Sequence, residues 1–199
     1  MSKPLPQAIR AEAIESLLIE RGLLAADDVD KVIQQYNERV GPMNGARVVA
    51  KAWVDPGFRQ ALLEDATRAI EPFEFQGGEV QQLVAVENTP QVHNAVVCTL
   101  CSCYPWAILG LPPNWYKEPA YRSRIVREPR KVLQEMGVTL SQEVTVRVWD
   151  SSAEVRYMVI PQRPEGSEQL GEKQLAQLVT RDSMIGVEIL PPYQGVCHE

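Results

Sequence analysis

The sequence predicts an α+β fold, with helices first along the chain and strands mixed with helices after them. Two observations lead to this prediction. Apolar residues recur at helical spacing through much of residues 8–70. By contrast, residues 144–149 and 155–160 alternate between apolar and polar side chains with a period of two, as half-buried strands do.

The first part of the chain is predicted to be a series of short amphipathic helices. Gly22 is a plausible end for the first helix, and Asp27 or Asp28 begins the second. Short helices bury little apolar surface alone, so these pack either on their own domain or on a partner subunit. The predicted segments are helices at 8–22, 28–40, 46–54 and 57–70, with a turn at 41–45.

The sequence pattern changes near Glu79, after which residues that favour β-strands become more frequent. The segment 150–153 between the two alternating strands is short enough for a hairpin-like connection. The remaining predicted elements are strands at 83–86, 96–97, 144–149, 155–160 and 184–190, and a helix at 170–180.

Composition narrows the class of protein. The chain has 199 residues, a hydrophobic content of 45% and a net charge of −6, which is typical of a globular domain and argues against nucleic acid as a partner. No apolar run approaches the roughly 20 residues of a membrane span, and residues 1–7 lack the apolar core of a signal peptide. We therefore expect a cytoplasmic protein that does not associate with membranes.

Three of the four cysteines lie within six residues, at Cys98, Cys101 and Cys103. In a reducing compartment such a cluster indicates metal ligands rather than disulfides. The first two have the spacing of a zinc knuckle, but the third follows after a single residue. This short tether brings the peptide nitrogens of Ser102 and Cys103 within reach of the metal. A metal that binds amide nitrogen in a roughly square plane is a transition ion such as Co(III) or Fe(III).

The residues around this cluster resemble the metal-binding segment of nitrile hydratase α subunits. The similarity extends over roughly residues 5 to 190. It includes the motifs VCTLCSCYPW at 97–106, LGLPPNWYK at 109–117, VAVENTP at 84–90, REPRKVL at 127–133, VRYMVIPQRP at 155–164 and DSMIGV at 182–187.

The resemblance implies a two-part chain that works with a second subunit. A helical arm at residues 1–72 would pack on a β subunit, giving an αβ or α2β2 enzyme. A layered α/β/β/α domain at residues 73–199 would hold the metal loop. A metallochaperone or activator protein and a small nitrile substrate are the other implied partners.

The resemblance also implies roles for single residues. Cys98 would be the axial ligand of one metal ion per chain, and Cys101 and Cys103 would lie in the equatorial plane with the amides of Ser102 and Cys103. Cys101 would be oxidised to a sulfinic acid and Cys103 to a sulfenic acid. The resemblance leaves open whether the sulfenate or a metal hydroxide attacks the substrate. The implied catalytic residues are Cys103, Ser102, Trp106, Arg156 and Gln76.

Three of these residues have more specific implied roles. Trp106 would line the substrate pocket, and Arg156 would contact the β subunit near the site. Gln76 lies in an interval about three residues longer than the family's, so Gln76 keeps its role through a larger loop, Gln81 replaces it, or neither does.

Within the family, threonine at position 99 and tyrosine at position 104 accompany cobalt. We therefore expect Co(III), with Fe(III) as the alternative. Asp150 is a further candidate for a carboxylate next to the ligands. The basic segment 117–131 is either a solvated surface or a set of charges that balances the metal site.

Two alternatives to nitrile hydratase remain open. The metal-bearing subunit of thiocyanate hydrolase resembles the same motif, and its substrate also presents a C≡N group. A structural zinc module is the non-enzyme alternative, and Cys197 or His198 would then complete the ligands, although a frayed tail is the simpler interpretation. With only two histidines, a Cys-His hydrolase is not expected.

Overall fold

The computed structural model describes residues 6–38, 41–75 and 82–195, in two compact units that divide after Glu38. The first unit contains α1 (Pro6–Glu20) and α2 (Asp28–Glu38), as predicted. Gly22 follows α1 with a positive φ of 66°, which fits its predicted role as a helix stop. Several apolar side chains of these helices are exposed, namely Ile9, Ile14, Leu17, Val32 and Ile33.

The second unit begins with α3 (Pro42–Val54), α4 (Pro56–Glu64) and α5 (Ala66–Ile70), followed by a 3-10 turn at Glu71–Phe73. Asp55 starts α4 as its N-cap, because its carboxylate accepts a hydrogen bond of 2.9 Å from the Phe58 N–H.

The predicted turn at 41–45 is wrong, because Pro42 is the first residue of α3. Proline suits that position, where its missing N–H would have no partner in the helix. Gly45 lies inside the helix, where a Cβ would be 2.6 Å from Met184 Sδ and 2.9 Å from Ile108. The glycine therefore permits close packing of α3 and does not make a turn.

Four strands form two parallel pairs. The strands are β1 (Gln82–Glu87), β2 (Val92–Val97), β3 (Thr145–Asp150) and β4 (Val155–Ile160). β1 pairs with β4 and β2 pairs with β3.

The expected hairpin between β3 and β4 is wrong, since these strands belong to different sheets. Ser151 continues the pairing of β3 with β2 by donating its N–H to Val97 O at 2.7 Å, and the chain then crosses to the other sheet. All but the first residue of β2 are buried, so β2 needs cover on both faces rather than a simple hairpin on one.

Short helices complete the second unit. The predicted helix at 170–180 is confirmed as α10. The predicted strand at 184–190 is wrong, because residues 181–185 form α11. Thr180 is the N-cap of this helix, since its hydroxyl accepts a hydrogen bond of 3.0 Å from the Ser183 N–H. Gly186 ends the helix with a positive φ of 86°. The helices are α6 (Trp106–Leu109), α7 (Asn114–Lys117), α8 (Pro119–Arg124), α9 (Pro129–Glu135), α10 (Glu172–Leu178) and α11 (Arg181–Ile185).

The elements stack in the expected α/β/β/α order. α4 and α5 pack on β1, α9 packs on β3, and the two sheets meet through β2 and β4. The rings of Trp149 and Tyr157, one from each sheet, lie 5.2 Å apart. α3 packs against α6, α10 and α11, so the helices of residues 42–70 contribute to the same core as the strands.

The core consists mainly of aliphatic side chains, together with Tyr104, Tyr116 and Tyr121. The full burial of one valine, leucine, isoleucine or methionine side chain contributes about 1.5–3 kcal/mol. The fully buried residues of the core include Leu62, Leu83, Ile108, Ile125, Leu133, Met158, Ile160, Leu175, Met184 and Ile185.

None of the described helices is long and apolar enough to cross a bilayer.

Candidate metal centre

The cysteine loop begins directly at the end of β2. The end of this strand is fixed on two sides: Ser151 donates its N–H to Val97 O, and the Tyr121 hydroxyl donates to Val96 O at 2.8 Å. Cys98 follows as a fully buried residue. The first thiol is therefore held by the sheet, whereas the rest of the loop extends towards the surface.

The three thiols converge on one point. Cys98 Sγ lies 3.4 Å from Cys101 Sγ, and Cys101 Sγ lies 3.0 Å from Cys103 Sγ. All three sulfur atoms are within 4.8 Å of one another. Sulfur ligands about 2.3 Å from a shared ion are separated by no more than about twice that distance, so the spacing fits one metal.

The thiols differ in exposure and in acidity. Cys98 is buried, Cys103 is half-buried and Cys101 is exposed. Hydrogen bonds from the thiols of Cys103 and Cys98 lower the pKa of Cys101 to about 7. Burial raises the pKa of Cys103, and its hydrogen bond to Cys101 adds to that rise. A metal that binds all three sulfurs must therefore displace the protons that the thiols share.

Thr99 is held through every polar group it has. Its N–H and its hydroxyl donate to the two carboxylate oxygens of Asp150, at 2.9 and 2.6 Å. Its carbonyl accepts from Arg122 Nη2 at 2.8 Å. Asp150, a candidate from the sequence, thus contacts the loop residue between Cys98 and Leu100 rather than a cysteine.

Tyrosines support the other end of the loop. The Tyr116 hydroxyl donates to Cys103 O at 3.0 Å, and the Tyr116 ring packs against the Tyr104 ring at 5.1 Å. Trp115 belongs to the same aromatic cluster, 4.8 Å from the Tyr121 ring. Sequence reasoning missed Tyr116 and Tyr121, because no periodicity or spacing marks a hydroxyl that reaches a backbone carbonyl.

The other predicted site residues take different positions. Trp106 begins α6 just after the loop and is 42% exposed. Arg156 lies on β4, and its charge acts on Cys103, opposing the rise in the pKa of that thiol. Arg156 Nη1 is buried with no hydrogen-bond partner in the part of the chain that the structure describes. Ser102 is half-buried between the two equatorial candidates. Gln76, Gln81, Cys197 and His198 lie outside the described residues.

The basic segment is mainly structural. Arg124 pairs with Glu128 and Glu135, and Arg130 donates to backbone carbonyls, including that of Ser141. Among the side chains that the structure describes, Arg122 is the member of this segment that reaches the metal loop. Within this segment, Arg122 is therefore the residue that supports the prediction of positive charges balancing the metal site. Arg156 on β4 supplies a second positive charge.

A structural zinc site needs four nitrogen or sulfur ligands. The group of possible ligands found among residues 6–38, 41–75 and 82–195 contains the three cysteines and no fourth His, Cys, Asp or Glu. Three thiols with adjacent backbone amides suit a transition ion better, since amide nitrogens supply the missing donors.

Comparisons with known proteins agree with this site. The family model described as nitrile hydratase, alpha chain, matches residues 6–188. The chain is 56% identical over 182 residues to the low-molecular weight cobalt-containing nitrile hydratase subunit alpha of Rhodococcus rhodochrous, covering 92% of this chain and 88% of the relative.

The chain is also similar to an Fe-type nitrile hydratase and to a thiocyanate hydrolase subunit. A solved structure of a double mutant of the Fe-type nitrile hydratase from Comamonas testosteroni Ni1 is 40% identical, with a TM-score of 0.88 and coverage of 99% of both chains. The thiocyanate hydrolase subunit gamma of Thiobacillus thioparus is 44% identical over 191 residues, covering 90% of this chain and 78% of the relative.

Proposed function

The chain belongs to the nitrile hydratase alpha-chain family, and we propose that it is the metal-bearing subunit of an enzyme that adds water to a nitrile. In this reaction the water oxygen bonds to the nitrile carbon, and the two water protons end on nitrogen in the amide product. The observation that supports the proposal most strongly is the convergence of three sulfurs, all within 4.8 Å, on a loop with a single residue between Cys101 and Cys103.

We propose cobalt, one ion per chain, as the metal. The sulfurs of Cys98, Cys101 and Cys103 and the amide nitrogens of Ser102 and Cys103 would hold it. When bound, a trivalent ion supplies Lewis acidity at its open position. Cobalt is favoured because a relative at 56% identity is named as cobalt-containing, whereas the Fe-type structure is 40% identical. Iron is the alternative.

The chain's own residues would prepare the site for the reaction. Cys98 is anchored in the buried sheet, which leaves Cys101 and Cys103 on the open side of the loop. Oxidation of Cys101 to a sulfinate, by loss of four electrons, and of Cys103 to a sulfenate, by loss of two, would require an external oxidant such as dioxygen and would place oxygens there. The Arg156 charge near Cys103 would stabilise a sulfenate anion, which could act as nucleophile or base.

Two residues would shape the substrate side. Trp106 lies three residues after Cys103 in the sequence and is 42% exposed, and it would form one wall of the nitrile pocket. Gln76 remains a prediction for a polar contact to the substrate. The remainder of the pocket would come from the partner.

The proposed partner is a β subunit. Leu100 is 87% exposed at the tip of the loop, and Trp106, Leu111 and Val126 are also exposed. Exposed apolar side chains in the metal loop and in the segment that follows it are typical of a surface that another subunit covers. The exposed apolar side chains of α1 and α2 support the proposal that this part of the predicted arm of residues 1–72 packs on a partner, whereas α3, α4 and α5 pack in the core of the second unit.

We also propose that an activator protein inserts the metal, and that the enzyme works in the cytoplasm. The exposed Cys101, with a thiol that is easily deprotonated, would be the first ligand to meet an incoming ion.

Expression with the neighbouring subunit gene and cobalt tests the function. The purified complex is expected to convert a small nitrile to its amide, and Cys101→Ala is expected to abolish that activity while leaving the complex assembled. A complex that contains cobalt but hydrates no nitrile in a panel of aliphatic and aromatic nitriles would contradict the proposal.

Thiocyanate hydrolysis is the second candidate, favoured by the 44% identical subunit gamma and by the cation that Arg156 places near Cys103. The same preparation, assayed with thiocyanate, separates the two. Turnover of thiocyanate without turnover of nitriles would favour this candidate over the first.

A further inference from the structure

A cavity of about 320 Å³ opens beside the metal loop. One wall is Thr99, a residue of that loop. The other wall consists of residues three or four apart on α8 and in the turn after it, so they share one face. They are Pro119, Arg122, Ser123 and Val126. Because Pro119, Ser123 and Val126 are exposed, the cavity is accessible to a partner molecule.

Arg122 provides the positive charge of this cavity. Its Nη2 donates to Thr99 O at 2.8 Å, and its Nη1 donates to Lys117 O at 3.5 Å. Both acceptors are backbone carbonyls, which carry no net charge. A guanidinium stays protonated in proteins and has five N–H groups in one plane, so these two bonds leave it able to donate to a further acceptor. The cavity therefore has a half-buried cation in its wall.

The surface around the cavity is positive as well. Residues 117–127 contain four basic side chains and one acidic side chain, Glu118, in a chain of net charge −6. Arg124 is neutralised by two carboxylates further along the chain. The ion pairs among the described residues include none of the other three basic side chains, which are Lys117, Arg122 and Arg127. This surface is therefore complementary in charge to an acidic partner.

We propose that the cavity binds an aspartate or glutamate side chain of the β subunit. The carboxylate accepts from the Arg122 guanidinium, and the methylene groups of the same side chain pack against Pro119 and Val126. This contact rests on the proposed function, because it belongs to the interface between the two subunits.

The lining of the cavity selects an acidic side chain over other groups. A carboxylate forms charge-assisted hydrogen bonds with a guanidinium, which are stronger than bonds between neutral groups. A lysine or arginine of the partner would be repelled by Arg122, and an apolar side chain would cover the guanidinium without neutralising it. An inorganic anion lacks the apolar part that Val126, which is 47% exposed, can contact.

The cavity adjoins the surface already assigned to the partner. Leu100 follows Thr99 in the metal loop and is 87% exposed. A subunit that covers Leu100 thus lies next to the cavity. The Arg122 guanidinium then holds the partner carboxylate and Thr99 O together, so binding of the partner and the position of Thr99 are linked.

A charge swap at Val126 tests the contact in the complex. Val126→Glu and Val126→Lys place opposite charges at the edge of the cavity, and the dissociation constant of each purified complex is measured by dilution. We expect the Val126→Glu complex to dissociate roughly tenfold more readily than the Val126→Lys complex at low ionic strength. The difference should shrink in high salt. Equal dissociation constants, or a tighter Val126→Glu complex, would overturn the proposal.

The matched control is Val54, a valine of similar exposure, 42%, at the end of α3. Val54→Glu and Val54→Lys change the net charge of the chain by the same amounts. Their complexes are expected to have equal dissociation constants. A Glu-to-Lys difference as large as that at Val126 would assign the effect to net charge and overturn the proposal.

A crystal structure of the complex locates the contact directly. We expect a carboxylate oxygen of the β subunit within about 3.2 Å of an Arg122 nitrogen. A basic or apolar side chain in the cavity, or a cavity that the partner does not enter, would overturn the proposal. Subunit affinity and nitrile turnover are separate readouts. An active complex without the charge effect would refute this contact alone, whereas the charge effect in a complex that hydrates no nitrile would refute the proposed function alone.

Discussion

The two ends of β2 use polar groups in opposite ways. At the start of the strand, polar side chains form hydrogen bonds within the chain. His93 Nε2 donates to Gly186 O at 2.8 Å, and Asn88 Oδ1 accepts from the Asn94 N–H at 2.7 Å. Trp149 Nε1 donates to Asn94 Oδ1 at 2.9 Å. At the other end, the cysteine sulfurs contact mainly one another, and Cys101 is exposed.

This difference separates scaffold from site. A closed network in the core gives a rigid strand with one register, since any change leaves a buried group unpaired. An open group of donors at the end of that strand keeps its bonding capacity for a ligand. The same strand thus fixes the position of Cys98 while Cys101 and Cys103 remain available.

The largest expected effect is at the open end. Cys101→Ala removes one of three sulfur ligands and is expected to abolish metal binding and activity with little loss of folding, because Cys101 is exposed. The measurement is metal content by mass spectrometry, with circular dichroism as the check on folding.

Cys197→Ala is the matched control for this prediction, since Cys197 is the chain's fourth cysteine and follows Cys103 by 94 residues in the sequence. It is expected to keep both metal and activity. Loss of metal in Cys197→Ala would show that the C-terminal residues provide a ligand.

The next effect is at the closed end. Gly186 has a φ of 86°, and a Cβ there would lie 1.9 Å from Asn94 O. Gly186→Ala is expected to destabilise the fold by roughly 2–5 kcal/mol, from backbone strain and overpacking together. Thermal unfolding measures the loss.

Gly137→Ala is the control, because Gly137 also has a positive φ, of 93°, but no atom lies within 4 Å of its Cβ position. Its free energy of unfolding should decrease by about 1–2 kcal/mol, which is the cost of a left-handed backbone conformation for alanine. Equal losses in the two variants would mean that the contact with Asn94 is not rigid.

A smaller effect is expected at Thr99, which joins the loop to β3. Thr99→Val removes the hydroxyl bond to Asp150 but keeps the side-chain shape, and it should speed the loss of metal to a chelator severalfold. Thr145→Val, at an exposed position of the same strand as Asp150, is the control and should leave the rate unchanged. If the rate of metal loss is unchanged in Thr99→Val, the hydrogen bond between the Thr99 hydroxyl and Asp150 does not stabilise the loop.

The smallest effect is a pH dependence from the closed end. Burial lowers the pKa of His93 below its ordinary value of 6.5, although the bond to Gly186 O opposes this. The unfolded chain therefore binds a proton that the folded chain does not, and stability present above about pH 6.5 falls as the pH drops below it. The melting temperature of the native chain should decrease more between pH 7.5 and pH 5.5 than that of His93→Gln, and parallel decreases would contradict this.

Sequence patterns predicted the parts of this structure that depend on local signals. The amphipathic helices, the alternating strands and the three-cysteine spacing all appear where they were expected. The wrong predictions lie where packing between segments distant in the sequence determines the local structure. Gly45 looks like a turn residue until Met184 and Ile108 are placed against it, and the pairing of β3 with β2 depends on contacts that no short window contains.

The site shows the same division. The sulfur cluster follows from spacing within six residues, but the bonds to Thr99 come from Asp150, 51 residues away, and Arg122, 23 residues away. Tyr116 supports Cys103 through a backbone carbonyl, which is common to all residues and gives no signal in sequence.

Metal analysis of the native protein tests the central proposal most directly. The chain would be co-expressed with its neighbouring subunit gene in medium supplied with both cobalt and zinc, and the peptide spanning Cys98 to Cys103 would be weighed intact. We predict one cobalt per chain and added oxygen atoms on Cys101 and Cys103. Zinc bound to unmodified thiols would contradict the proposal.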